Sequence, residues 1–249
     1  MYSTTPVLIL LLSRFIHSAY GFSFNSVTTS GITIQSSPAC DDDDVEFGRR
    51  AFVQSTLASA FLVATTTSPA HASYIDPTTN PPEITKRVFI DVLINGKGEY
   101  RIEIGLFGEL MPRTVDNFAK LFESNAYAGT DFYRVLSDFS IQGGAIGDPS
   151  GKTGQSSLDG GKPFEPDNFN LKHTKEGLVS AVRGLDGRID SRFFINCKDD
   201  AGWADDRYAA FGIVLGNGMD VVKRIEKVPV KPPKNSPLNE VRILKSGAL

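Results

Sequence analysis

Tyr127-Ala-Gly-Thr-Asp-Phe-Tyr-Arg-Val-Leu-Ser-Asp-Phe-Ser-Ile-Gln-Gly-Gly144 is the stretch whose reading decides the fold. Two short extended segments, Phe132 to Leu136 and Phe139 to Gln142, are predicted on either side of a Ser137-Asp138 turn, and a glycine pair ends the second. Alternation puts Phe132, Arg134 and Leu136 on one side and Tyr133 and Val135 on the other, so Arg134 is expected on an otherwise apolar face. A guanidinium keeps its proton, and burying it without partners is costly. Gln142, with an amide donor and a carbonyl acceptor, is close enough in sequence to hold it. An acid elsewhere in the fold would serve as well, and spacing alone leaves the two open.

The flanks repeat the same kind of signal. Upstream, Val88 to Ile94 is a nearly continuous apolar run, and Asn95-Gly96-Lys97-Gly98 is a turn. Tyr100, Ile102, Ile104 and Leu106 then alternate with Arg101, Glu103 and Gly105, which gives a hairpin with one buried face. Pro112 suits the first turn of a helix whose apolar stripe is Val115, Phe118, Ala119 and Phe122. A second helix is predicted near Met219 to Lys227, with Val221, Val222 and Ile225 on one face. Short strands are predicted at Leu178 to Val182, Phe193 to Cys197, Phe211 to Leu215 and Val241 to Leu244. Many short strands with only two helices point to a mainly β fold, a closed barrel with helices covering its ends. There is no internal repeat and no second domain.

Composition narrows the function. Hydrophobic residues make up 41% and charged residues 22% of 249 residues, ordinary values for a globular protein. The formal net charge is -3 with no basic block, so nucleic acid is not an expected partner. Two cysteines, Cys40 and Cys197, make neither a disulfide framework nor a metal site. Gly147-Asp-Pro-Ser-Gly-Lys-Thr153 imitates a phosphate-binding loop, but the first glycine that motif requires falls at Ile146 and no helical pattern follows. It reads as a surface loop. Asp199, Asp200, Asp205 and Asp206 around Trp203 lack calcium-loop spacing and read as a solvated loop.

The run F-Y-R-x-x-x-x-F-x-x-Q-G-G over residues 132–144 resembles the active-site hairpin of the cyclophilins, the immunophilin-type peptidyl-prolyl isomerases. Phe164-Glu-Pro-Asp-Asn-Phe169, Leu171-Lys-His173, Ser191-Arg-Phe-Phe-Ile195, Trp203 and Phe211-Gly212 follow in the family's order and close to its spacing. The resemblance covers residues 87–247 and implies an eight-stranded antiparallel barrel capped by two α-helices. It also implies catalysis on X-Pro bonds. Such catalysis needs no nucleophile, metal or proton donor, so no cofactor is expected. It needs a pocket for the proline ring and a donor that binds the amide more strongly once twisted.

By resemblance Arg134 is that donor, and Gln142 orients it and bonds a substrate carbonyl. Phe139 and Phe194 form the floor of the proline pocket, and Trp203 stands at its rim. The departures from the family pattern are Ser140 for a methionine, Tyr208 for a histidine, Ala204 for a leucine, Val182 and Arg183 for an Ala-Asn pair, and Arg192 for a glutamine. Ser140 and Ala204 remove apolar contact, Val182 narrows the peptide groove, and Arg183 and Arg192 are expected to add two positive charges near it. The expected enzyme is therefore weak on short peptides and prefers acidic residues near the proline. The alternative is a binding module that docks an extended segment of a photosynthetic-complex protein with little turnover.

Residues 1–72 read as addresses. Pro6-Val-Leu-Ile-Leu-Leu-Leu12 and Ser18-Ala-Tyr-Gly21 make a signal peptide over residues 1–21, and the acid-free, Ser/Thr-rich residues 23–37 lie in a transit peptide over residues 22–48. Arg49-Arg50, the apolar run from Leu57 to Ala64 and Ala70-His-Ala72 make a twin-arginine signal over residues 49–72. This stacking, with Phe22 after the first cleavage site, resembles the targeting of lumenal proteins in diatom-like algal plastids. It implies the thylakoid lumen, with the secretory pathway or the plastid stroma as alternatives. Cleavage leaves a flexible leader over residues 73–86 and an isomerase domain over residues 87–249, with 23 basic against 24 acidic residues. The mature form is expected to be a monomer that does not span a membrane and binds proline-containing segments.

Overall fold

The computed structural model describes residues 73–249. The signal, transit and twin-arginine readings fall on residues 1–72 and lie outside the described residues. In chain order the elements are β1 (Lys86–Ile94), β2 (Lys97–Leu106), α1 (Pro112–Glu123), β3 (Arg134–Leu136) and β4 (Ser140–Gly143). Then follow β5 (Leu178–Arg183), β6 (Ile189–Asn196), β7 (Ala210–Leu215) and α2 (Gly218–Glu226). Two-residue strands β8 (Val230–Lys231) and β9 (Ser236–Pro237) form a separate ribbon before β10 (Val241–Ala248).

Eight strands join in one antiparallel sheet in the order β10-β1-β2-β7-β5-β6-β4-β3. The sheet curls until its two edges meet. Gly129 N–H donates to the Ile243 carbonyl, Ile243 N–H to Thr130 and Phe132 N–H to Val241, each at 2.8 Å. Closure through the segment ahead of β3 leaves neither edge unpaired along that stretch. The barrel of eight antiparallel strands expected above is present.

Local chemistry accounts for the elements. Asn95 and Gly96 both have positive φ, 55° and 66°, as a tight hairpin turn matching the right-handed twist requires. Ile102, Ile104 and Leu106 of β2 point inward and are fully buried, as the alternation predicts. Pro112 opens α1, and Val115, Phe118, Ala119 and Phe122 are buried against the barrel, Phe118 stacked on Phe211 at 3.9 Å. The first turn of α1 is capped from a distance: the Asp167 carboxylate accepts the N–H groups of Arg113 and Thr114 at 3.1 and 2.7 Å. In α2, Val221, Val222 and Ile225 form the buried face. α1 packs on β1, β6 and β10, and α2 on β2, β3, β4 and β7.

Two expectations change. Phe132 and Val135 both face the core, at 1% and 2% exposure, because regular pairing begins only at Arg134 and the alternation breaks between them. Arg134 is accordingly exposed, so no burial penalty demands a partner. The leader expected to be flexible is tied down instead. Ile75 adds a parallel bridge beside Leu171, with Ile75 N–H donating to Asn170 and Lys172 N–H to Ile75, and Asp76 accepts from Thr174 Oγ1 at 2.6 Å. Its prolines read as linker composition, yet Pro77 is buried and Ile75 packs beside Phe107, Leu171 and Leu178. Among the described residues no helix is long and apolar enough to cross a membrane.

Candidate active site on the outer face of the barrel

Strand register assembles the site. Arg134 of β3 stands opposite Gln142 of β4, Gln142 opposite Phe194 of β6, and Phe194 opposite Ser180 of β5. Residues directly opposite in successive strands share a face, so these four form one row across the barrel wall. The neighbouring row is Leu136, Ser140 and Asn196. The intervening residues Val135, Ile141 and Ile195 point into the core. At the hairpin's end Gly144, φ 77°, lets Tyr127 and Phe193 close in: a Cβ there would lie 2.7 Å from the Phe193 ring.

Aromatic rings gather over the Phe194 end of the row. Phe139 stacks on Trp203 with centroids 4.1 Å apart and planes 14° from parallel. Phe194 lies 5.6 Å from Trp203 and 5.1 Å, edge-on, from Tyr208. Trp203 sits in the single turn Gly202–Ala204, whose Ala204 is fully buried. Phe194, at 1% exposure, is covered by these rings, while Phe139, Trp203 and Tyr208 are half-buried. A flat apolar recess beside an exposed guanidinium can hold a prolyl ring and bond the amide attached to it.

A brace behind the recess was not legible in the sequence. His173, 1% exposed, lies between two partners: Nδ1 is 3.1 Å from Asp205 Oδ1 and Nε2 is 2.9 Å from Ser180 Oγ. Its backbone N–H also donates to Asp205 Oδ1, at 2.8 Å. The ring stacks behind Phe194 at 6.4 Å. His173 thus ties the Trp203 loop to β5 beneath the recess. Burial pushes its pKa below the ordinary 6.5, against the opposing pull of the Asp205 carboxylate. The acids around Trp203 are mostly employed rather than merely solvated: Asp205 on His173, Asp199 on the Glu176 N–H, Asp205 and Asp206 on Lys172.

The two added arginines fare differently. Arg192 adds no charge to the groove. It is 6% exposed and bonded through Nε and a terminal nitrogen to Asp190, itself 2% exposed, with oxygens at 2.8 to 3.0 Å. Its other terminal nitrogen donates to the Lys152 carbonyl at 2.6 Å. The signal that could have found this is local: Asp190 stands two residues before Arg192 on one strand, so both share a face. The loop it holds is the false phosphate loop. There Asp148 accepts from Ser150 and Thr153, and those hydrogen bonds hold its carboxyl far below the usual range. Arg183 is half-buried at the rim, donating to the carbonyls of Gly187 and Arg207 rather than to an acid. Val182, beside it, sits where β5 shifts register against β6.

A closed antiparallel barrel carrying an arginine–glutamine–phenylalanine row beside an aromatic cluster matches the arrangement that the resemblance to the immunophilin-type isomerases implies. The family model described as cyclophilin type peptidyl-prolyl cis-trans isomerase/CLD matches residues 89–248, and the chain belongs to that family. Among similar proteins, peptidyl-prolyl cis-trans isomerase B of Saccharomyces cerevisiae is 38% identical over 169 residues, covering 66% of this chain and 80% of its own length. Isomerase D of the same yeast is 38% identical over 178 residues, 70% of this chain and 77% of its own length. Isomerase CYP22 of Arabidopsis thaliana is 35% identical over 170 residues, 65% of this chain and 83% of its own length.

Proposed function

We propose that this protein catalyses cis-trans isomerisation of X-Pro bonds in polypeptides. Arg134 donates to the prolyl nitrogen as the amide twists, Gln142 holds the preceding carbonyl, and the ring rests against Phe194 among Phe139, Trp203 and Tyr208. The single observation that carries this is the register row. Arg134 and Phe194 are two strand spacings apart, about 10 Å, and a long arginine stem can arch over a ring seated at the other end. Peptide resonance sets a barrier of about 18–20 kcal/mol. A donor to the nitrogen lone pair is worth more in the twisted state, where that lone pair is localised, than in the planar one. The test is NMR exchange in an Ala-Pro peptide with the parent protein and Arg134→Ala. Acceleration that collapses in the variant supports the assignment, and acceleration that survives it removes Arg134 from the chemistry.

A second reading, a binding module with little turnover, is favoured by the covered state of Phe194, which a proline ring must uncover to reach. Shift changes on adding peptide, without acceleration, would select it. Its partner would be an extended proline-containing segment, a photosynthetic-complex protein if the protein resides in the thylakoid lumen. The stacked signals of residues 1–72 support that location, and a fluorescent fusion of those residues that never enters the plastid would refute it.

A further inference from the structure

Six buried side-chain polar atoms among the described residues have no hydrogen-bond partner, and four of them belong to residues in or next to the aromatic cluster. They are Ser140 Oγ, both amide atoms of Asn196 and the indole nitrogen of Trp203. Ser140 and Asn196 are fully buried and stand directly opposite one another on β4 and β6, yet neither bonds the other. Both lie on the outer face, in the row next to Gln142 and Phe194, about 7 Å along the strands. Unpaired buried polar groups are rare in folded proteins, and one that persists calls for a partner. Ser140 follows Phe139, which stacks on Trp203, and Asn196 stands two residues beyond Phe194, so a hydroxyl, an amide with donors and acceptors, and a donor-only indole all flank the same aromatic cluster.

We infer that these groups form a polar subsite for a hydroxyl group carried on the substrate's ring, so that the pocket selects hydroxyproline over proline. The inference rests on the reading of the recess as the proline pocket. Once the rings covering Phe194 part, a proline ring seated there lies one row from Ser140 and Asn196, and a hydroxyl on its Cγ turned along the strands, rather than along the row, faces them. A hydroxyl there accepts from the Asn196 amide or the Trp203 indole and donates to Ser140 Oγ or the Asn196 carbonyl. An unsubstituted proline leaves all four atoms unpaired. A site that hydrogen-bonds a substrate hydroxyl discriminates strongly against the analogue lacking it.

The experiment compares Ala-Pro peptides with their (4R)- and (4S)-4-hydroxyproline counterparts, using the purified protein. Exchange rates are taken relative to each uncatalysed rate, and dissociation constants from chemical shifts that include the Trp203 indole N–H. The expected result is binding of one epimer about tenfold tighter than proline, with the preference lost in Ser140→Ala and in Asn196→Leu. Equal or weaker binding of both epimers overturns the subsite and leaves a bound water as the partner of these atoms. A preference that survives both variants also overturns it. Because binding is read without turnover, absent exchange with an intact hydroxyproline preference would count against the isomerase reading alone.

Discussion

Replacing Arg192 by alanine removes half of a buried ion pair and leaves Asp190, 2% exposed, as a charge without its partner. Breaking such a pair costs about 3–5 kcal/mol. In a domain of this size each kcal/mol moves the melting temperature by about 2–4 °C, so the variant should melt roughly 6–20 °C lower. Arg192 also holds the Lys152 carbonyl, so the loop beside Tyr133 should loosen with it. The assay is thermal unfolding by circular dichroism. The double variant Asp190→Leu/Arg192→Met should recover most of the loss, because an apolar pair leaves no unpaired charge. If instead Arg192 presents its charge to substrate, Arg192→Ala should melt within about 2 °C of the parent and lose a preference for acidic-flanked over basic-flanked peptides. That outcome would refute the structural assignment and return Arg192 to the groove.

His173 is held below its ordinary pKa of 6.5 by burial, so the folded state binds fewer protons than the unfolded chain. Its contribution is therefore full above pH 6.5 and lost as pH falls below it; the melting temperature should drop between pH 7 and pH 5, and less steeply in His173→Gln. Asp167→Ala uncaps α1 and should cost about 1 kcal/mol, read as a fall of about 2–4 °C in melting temperature. Trp203 is the single tryptophan and stacks on Phe139, so its fluorescence reports the recess directly. Saturating Ala-Pro peptide should shift that emission, and Phe139→Ala should shift it without peptide; an emission unmoved by bound peptide would place the proline elsewhere.

The sequence by itself determined most of the elements, but not the β8–β9 ribbon or the start of β6 at Ile189. Hairpin turns, the alternation of β2 and the stripes of α1 and α2 are local patterns, set by side-chain periods of 2 and 3.6 that a linear chain displays. The resemblance then supplied Arg134, Phe139, Gln142 and Phe194, because they lie in short ordered motifs. Tertiary structure decided how those residues meet. The row Arg134–Gln142–Phe194–Ser180 joins two hairpins, β3–β4 and β5–β6, from separate parts of the chain, and the register of β4 against β6 that aligns them is encoded by no local spacing. It also decided which charges are free. Arg183 and Arg192 look alike in the sequence, but one ends on carbonyls at the rim and the other in a buried pair with Asp190. The brace of His173, Asp205 and Ser180 and the docking of Ile75 beside Leu171 were hidden for the same reason. A contact between distant segments is fixed by the packing that brings them together, and the barrel has to close before either partner has a neighbour.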